Sequence, residues 1–543
     1  MKYYSILLCC LFLCFSCDND PKNSKNGTNN TDKKVFRYNQ PSAVNSLDPA
    51  FSKDQATMWI ANQLFNGLVQ IDKDLNIKPC LATKWDISDD GLTYTFHLRD
   101  DVLFQPHELF ANEAERKLTA QDVVYSFSRI IDPKIASPGA WIFNDKIDKT
   151  EPFKAIDDQT FQLKLLKPFR PVLGILSMQY CSVISQKIGT HYGKELRTNP
   201  IGTGAFQYKH WKEGDVLILD KNETYWERNE KGVQLPFLDI IRISFNENKQ
   251  AAYLEFMKEK LDFISGIDPS YKDDLLTTEG SLKGELSEKI NLQKSPYLNS
   301  EYLGFLMDEK KNAVLKDKRV RQAINYGFDR AKMIRFLRNN VGVPATAGFV
   351  PKGLPSFDPQ AVKGYSYNPD KARKLLKEAG FGSNKPVPEI LLETTNSYMD
   401  LCTYIQKQLK EIGIPLRLEL LPSASLREKM SKSQTNFFRA SWIADYPDAE
   451  SFLTILYGDY PAPPNYTRFK NAEYDALYQR ALLENNNSKR YELYQKMDKI
   501  LVEEAPIVPL YYDEVLRFIQ KRVTGLENNA MNLLILKNVD VVD

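Results

Sequence analysis

Histidine is nearly absent from this 543-residue chain, with four in all, and cysteine is as scarce once the first 17 residues are set aside. Only Cys80, Cys181 and Cys402 lie beyond them. Three cysteines allow a single disulfide and leave a thiol over, which excludes a disulfide scaffold. So few histidines, with no cysteine cluster, leave no ligand set for a direct metal site. A charge of one sign is missing too. The 72 basic and 70 acidic residues leave a net +2, with no basic bias that would recruit nucleic acid and no acidic block. Past residue 17 no apolar run approaches the roughly 20 residues of a membrane span. The histidines, His97, His107, His191 and His210, are scattered, and Gly-x-Ser-x-Gly, Ser-x-x-Lys and His-Glu-x-x-His patterns are absent. His97 reads as structural. The expectation is a protein that is not an enzyme, holds no metal and uses no cofactor.

What is present begins at the N-terminus. Lys2 supplies a positive start, Ile6 to Phe15 is an apolar run, and Ser16 is a small residue before Cys17. A positive start, a short apolar stretch and a small residue at the cut describe a secretory signal. After Cys17 the chain turns polar at Asp18-Asn19-Asp20-Pro21 and stays so to Lys34. Such a stretch buries too little apolar surface to order itself. Residues 1–16 are therefore expected to be a signal peptide and residues 17–34 a flexible tether. Cys14 also stands near the cut, but Leu13 before it is not small. Cys14-Phe15-Ser16-Cys17 has C-x-x-C spacing, which in a folded setting would suggest redox or zinc chemistry. Here it closes an apolar signal stretch.

The remaining length suggests two to four domains, and 43% apolar residues suffice for large cores. Gln55 to Gly67 carries helical spacing with Gly67 as its stop. Leu92 to Leu98 alternates as a strand after an Asp90-Gly91 turn. Thr119 caps a helix running to Ile130, with Asp122 in its first turn. Thr160 to Leu166 and Val216 to Leu219 read as strands. Gly202-x-Gly204 has the look of a phosphate loop, yet lacks a third glycine and a following Lys-Ser/Thr. Val320 to Leu337 reads as one amphipathic helix. Asn368-Pro369 opens another, with Gly380 past its end. Glu389 to Thr395, Ser397 to Ile412 and Ile414 to Leu421 read as strand, helix and strand with short joints, a parallel βαβ unit. Asn436 to Trp442 is a buried strand running into Ile443-Ala444-Asp445-Tyr446-Pro447-Asp448, with a helix near Ala449. Ligands bind beyond the carboxyl ends of strands in open α/β sheets, which makes Asp445 a candidate binding residue. The 28 tyrosines and 29 phenylalanines mostly fill cores, with a minority available to pocket walls.

Six segments in order carry a family resemblance: Ser46-Leu47-Asp48-Pro49; Pro79 to Trp85 with Ser88 to Arg99; Leu118 to Val123; Asn199 to Phe206; Val320 to Ile324; and Trp442 to Asp448. Together they resemble the extracytoplasmic solute-binding proteins, family 5, which feed oligopeptide, dipeptide and nickel ABC importers. With Cys17 they also resemble a lipoprotein, lipidated at that cysteine. The likeness runs from about Val35 to the end. It implies an α/β fold, a two-lobed periplasmic-binding-protein-like clamp of three domains with mixed sheets. The first domain is discontinuous, residues 35–55, 200–298 and 509–543; the second is 56–199; the third, forming the opposite lobe, is 299–508. Two chain crossings form the hinge. The implied partners are short peptides enclosed between the lobes and ABC permease subunits in a membrane that holds the lipid anchor. The implied form is a monomer, exported and facing the periplasm or cell exterior, with no nucleic acid.

The resemblance also implies residue roles. Asp445 matches the aspartate that holds a peptide's ammonium, and Arg439 matches an arginine that holds its carboxylate. The residues themselves leave other roles open. Asp445 could cap the helix near Ala449, although Asp448 is better placed. Arg439, inside a strand, could form a structural ion pair. Trp442 and Tyr446 suit the core as well as a pocket wall. Ala43 stands where an oligopeptide binder has an acidic residue, and Phe104 to Lys117 resembles an insertion. Two other functions fit the same clamp: capture of a chelated metal such as nickel or of a sugar, and a lipoprotein sensor or chaperone without transport.

Overall fold

The strand Val35–Asn39 buries Phe36 and Tyr38 completely while its alternate residues stay half-exposed, and it opens a large mixed sheet. A computed structural model describes residues 33–266, 268, 271–307 and 314–542. The expected signal peptide, the lipidated Cys17 and nearly all of the tether lie outside the described residues. Among those residues, eleven strands join in the order Leu416–Leu420, Ile390–Thr394, Phe437–Ile443, Ile290–Phe305, Ile507–Gln520, Phe263–Ser265, Val35–Asn39, Ile240–Ser244, Val216–Lys221 and Phe206–Lys212. The eleventh, Val343–Pro344, pairs beside Ile507–Gln520. The fold is α/β and multidomain, with parallel and antiparallel pairs in one sheet.

Two strands are far longer than the rest: Ile290–Phe305 has 16 residues and Ile507–Gln520 has 14. They pair antiparallel in two registers. Ile290 to Pro296 faces Gln520 to Glu514, and Ser300 to Gly304 faces Tyr512 to Ile507, with irregularities between Pro296 and Ser300 and between Glu301 and Tyr302. Extra residues of this kind bend a strand and sharpen its twist. The two registers serve different neighbours. Asn299 to Phe305 pairs with Phe437–Ile443, whereas Arg517 to Ile519 pairs with Phe263–Ser265. These two strands thus carry the sheet from one half of the molecule to the other.

The C-terminal half contains the expected βαβ arrangement. Ile390–Thr394 and Leu416–Leu420 run parallel, Ile390 beside Leu416. Between them the helix Met399–Glu411 buries Leu401, Cys402, Ile405 and Leu409. It starts after a short 3-10 turn, Asn396–Tyr398, instead of at Ser397. Gly413 takes a left-handed φ of 89° beyond the helix, a conformation that favours glycine. Asn368 caps Pro369–Glu378 as expected, accepting from the Lys371 amide.

Two helices differ from the sequence reading. The periodic stretch from Val320 to Leu337 is two helices, Lys318–Tyr326 and Arg330–Arg338. Asp329 caps the second by accepting from the Lys332 amide, and Gly327 at the joint packs so closely on Leu409 and Ile412 that a Cβ would overlap both. The apolar period continues across the break, so periodicity alone could not reveal it. The helix from Gln55 ends at Leu64, not at Gly67, because Phe65 turns to an extended conformation.

The reason for that early stop is the Gly202-x-Gly204 segment. The Gly204 amide donates to the Leu64 carbonyl at 3.0 Å. A Cβ on either glycine would strike the Leu64 backbone. The glycines serve a close backbone approach, and no phosphate-binding helix follows them.

A second, antiparallel sheet orders Ala82–Ile87, Thr93–Leu98, Thr160–Lys164 and Phe153–Asp157. Its buried Tyr94, Phe96 and Phe161 pack with Phe127 of the helix Ala120–Ile131. Each such burial contributes about 1.5–3 kcal/mol. Thr119 and Asp122 form a capping box on this helix. Arg129, near its end, makes a two-pronged ion pair with Asp48 at 3.1 and 2.5 Å, both side chains almost fully buried. Asp48 also accepts from the Ala50 amide. Breaking a buried pair of this kind costs about 3–5 kcal/mol. Cys80, Cys181 and Cys402 are buried free thiols.

Gly202→Ala and Gly204→Ala should each lower stability by about 1–3 kcal/mol through overpacking against Leu64. Gly382, which has no neighbour within 4 Å of a built Cβ, is the control. Urea denaturation reads the difference, and equal midpoints for all three variants would refute the close-approach role.

Candidate functional site

Strand Phe437–Ile443 ends in Ala444-Asp445-Tyr446-Pro447, and that turn forms one wall of a cavity of about 330 Å³. The facing walls come from distant segments: Met58 and Trp59 of the helix Gln55–Leu64, Trp141, Met178 to Tyr180, Tyr297, and Met531 to Leu533. Trp59 is fixed by its indole N–H donating to the Asn532 carbonyl at 2.7 Å. The cavity therefore mixes aromatic and apolar side chains with polar ones, and its charged lining residues are Asp445, Asp54 and Lys53.

Asp445 is half-buried. Its backbone N–H donates to Ser451 Oγ at 3.1 Å, but among the described residues no donor lies within hydrogen-bond distance of its carboxylate. Burial, seconded by the Glu450 charge, pushes this carboxyl up to about 6 against the opposing pull of Lys146. Glu450 itself is buried and accepts from the hydroxyls of Tyr446 and Tyr478 in two close contacts. Lys146 sits over the Phe169 ring and donates to the Trp141 carbonyl at 3.4 Å, and burial lowers its pKa. The capping role falls to Asp448, which accepts from the Glu450 amide at 2.9 Å and pairs with Arg490 at 3.2 Å. Asp445 is left with a charge and no structural duty.

Of the four residues singled out from sequence, the structure brings Asp445 and Tyr446 to this cavity. Tyr446 is nearly buried and spends its hydroxyl on Glu450. Arg439 and Trp442 do not line the cavity and lie on the strand that pairs with the long strand Ile290–Phe305. Arg439 forms a close buried ion pair with Glu301 and stacks on the Tyr398 ring. Burial lowers its pKa to about 9. Among the described residues its Nε has no partner, and neither has the buried indole N–H of Trp442. Around them Asn299 donates to Glu301 at 3.1 Å and to Asp513 at 3.3 Å, and Arg338 pairs with Asp513 at 2.9 Å.

Sequence reasoning missed Glu301, Asn299 and Asp513, and the aromatic walls at Trp141 and Tyr180. A signal existed for Glu301: an acid followed directly by Tyr302-Leu303-Gly304-Phe305-Leu306 needs a partner if that stretch is buried. Trp141 and Tyr180 stand in no pattern that marks them. Among the described residues no group of three or more His, Cys, Asp or Glu could hold a metal ion, and no helix is long and apolar enough to cross a membrane.

Comparison with known proteins gives a consistent result. Residues 76–463 match the model of the bacterial extracellular solute-binding proteins, family 5. The glutathione-binding protein GsiB of Shigella flexneri is 28% identical over 490 residues, covering 88% of this chain and 89% of the relative. The peptide-bound DppA of Helicobacter pylori superposes with a TM-score of 0.73 at 25% identity, over 94% of this chain and 99% of that one. HbpA2 of Haemophilus parasuis superposes at 0.82 with 24% identity, over 94% and 100%, a likeness of fold.

The raised Asp445 carboxyl carries a stability signature. The folded protein holds this proton up to about pH 6 and the unfolded chain only to roughly 3.9. Stability therefore falls as pH rises through that window and stays low above it. Asp445→Asn removes the penalty and should stabilise the empty protein by about 1–2 kcal/mol at pH 8, after discounting for partial exposure. The gain should vanish near pH 4. Urea denaturation at both pH values tests this, and an equal gain at pH 4 would sink the assignment.

Proposed function

The chain belongs to the bacterial extracellular solute-binding proteins of family 5, and from that premise we propose that it captures short peptides for an ABC importer. The observation that carries the proposal is the Asp445 carboxylate, half-buried in the wall of a cavity and with no hydrogen-bond donor to it among the described residues. Leaving such a group unpaired costs free energy, which a positively charged ligand group would recover. A peptide's terminal ammonium fits, offering up to three N–H donors and a charge-assisted bond to the carboxylate. A cavity of about 330 Å³ suits a small ligand. Glutathione, for which the curated relatives are named, is itself a tripeptide with one ammonium and two carboxylates.

The same reading gives the other end of the ligand to Arg439 and Trp442, which lie outside this cavity on the strand Phe437–Ile443 and would meet a ligand that reaches past it. Both hold buried donors without acceptors, Arg439 Nε and the Trp442 indole N–H. Buried donors of that kind are rare in a completed site, and a peptide carboxylate or carbonyl supplies what they lack. The clamp is assigned as the sequence reading has it: residues 35–55, 200–298 and 509–543 with 56–199 as one lobe, and 299–508 as the other. The bends in the two long strands are its hinge. Lipidation at Cys17 and the polar tether to Lys34 would hold the clamp at the membrane face beside its permease. A tether of that length reaches a few tens of ångströms, at about 5–6 Å times the square root of its length. Its role is carriage, with no chemical step on the solute.

Calorimetry with glutathione and trialanine, each against its N-acetylated form, tests the ammonium contact. Acetylation or Asp445→Ala should weaken binding at least a hundredfold. Lowering the pH from 7.5 to 5 should weaken it roughly tenfold, because Asp445 then enters the complex protonated and must lose that proton. Binding that survives acetylation and Asp445→Ala would overturn the proposal.

A further inference from the structure

A second cavity, of about 400 Å³, lies beyond the turn that carries Asp445. One wall is formed by Asn76, Tyr94 and Arg170, the other by Ser356, Arg490 and Tyr491. The two cavities are divided where Gly174 meets Tyr446 and Pro447: a Cβ built on Gly174 would lie 3.6 Å from atoms of both. A solute held at Asp445 therefore leaves this second space free.

Its lining is rich in donors that have nothing to donate to. Tyr94 is fully buried with the Arg170 guanidinium beside its oxygen, and Ser356 is 4% exposed, yet among the described residues neither hydroxyl has an acceptor for its own proton. The Nε atoms of Arg170 and Arg490 are buried and unpartnered as well. Arg490 is 9% exposed and neutralised by Asp448 at 3.2 Å. Arg170 has no carboxylate within ion-pair distance among the described residues, so its positive charge is uncompensated. Four unfilled donors and one spare positive charge in a single cavity describe the complement of an oxyanion, whose oxygens accept several charge-assisted bonds at once.

We propose that this cavity is a second binding site, for a small oxyanion carried as a carboxylate or phosphate group, which joins the wall bearing Tyr94 and Arg170 to the wall bearing Ser356 and Arg490. The site differs from the Asp445 cavity in place and in charge preference. An anion gripped from both walls favours the arrangement in which they face each other. The same arrangement closes the Asp445 cavity, since Gly174 and Tyr446 stand between the two. The anion and the solute should therefore strengthen each other's binding by the same factor, as linkage requires.

The test is calorimetry on the mature chain without solute, titrating sodium phosphate and, separately, sodium acetate over a constant sodium chloride background. One saturable site is expected for at least one anion. Phosphate alone would identify a phosphate group, and acetate as well would identify a carboxylate. Arg170→Gln should weaken binding at least tenfold while its urea midpoint in anion-free buffer equals that of the parent. Arg490→Lys, which keeps the charge but loses the guanidinium fork, should also weaken it. Asp445→Ala should leave anion binding intact, so failure of the peptide assignment would not touch this one. No saturable binding by either anion, or equal binding by Arg170→Gln and the parent, would overturn the proposal.

Discussion

Everything in this molecule hangs on the pairing of two long antiparallel strands, Ile290–Phe305 and Ile507–Gln520. They are shared by both halves of the main sheet, and they change register midway. A strand pair whose ladder is interrupted by extra residues bends and twists more sharply at the interruption. The surrounding structure is anchored to the second strand or to the turn before it. Arg321 donates to the carbonyls of Leu315, Lys316, Glu504 and Ala505, and Arg330 to those of Asn325 and Pro509. Arg517, on the strand itself, reaches the carbonyls of Glu527 and Leu533. These buried cations meet carbonyls where other buried cations meet carboxylates. They tie loops to the strand with several bonds apiece, at a desolvation cost that lowers the pKa of all three.

The segments that make the family recognisable are, for the most part, structural. Asp48 holds Arg129, Asp122 completes a capping box, Gly202 and Gly204 admit the Leu64 backbone, and Arg321 ties the turn at Ala505. Each is a position where another residue would lose a buried bond or collide with backbone. Of the marked segments, the one ending the strand Phe437–Ile443 reaches the Asp445 cavity. Family membership is thus written mainly in the scaffold. Ligand chemistry depends on a few side chains whose neighbours come from all along the chain.

That division governs how much could be read beforehand. Local rules recovered the βαβ unit, the caps at Thr119 and Asn368, and the strand leading to Asp445, because each depends on neighbours a few residues away. They did not recover the break at Gly327, which is enforced by Leu409 and Ile412 from another helix. Nor did they find that the helix after Gln55 stops at Leu64, since the cause lies at Gly202 and Gly204. The long strands went unread because their double pairing is a tertiary fact. Arg439 was read as a binding residue or an ion pair, but its partner Glu301 stands 138 positions away. The cavity walls at Trp141 and Tyr180 have no local signature. They line one cavity when the turn at Asp445 is laid across them.

On the proposed reading, the unpaired carboxylate would have a role in motion as well as in recognition. Its pKa is raised chiefly by burial, with the Glu450 charge second. Above about pH 6, then, the empty cavity encloses a charge that no neighbouring donor meets, and that burial costs free energy. An enclosed ammonium offsets that cost, because its charge and N–H donors pair with the carboxylate as water is lost. On the proposed reading, a single residue without a structural partner would make closure depend on the charge of what is enclosed. The proposed hinge would provide the movement, and the cost of burying Asp445 alone would weigh against it when no cation is present.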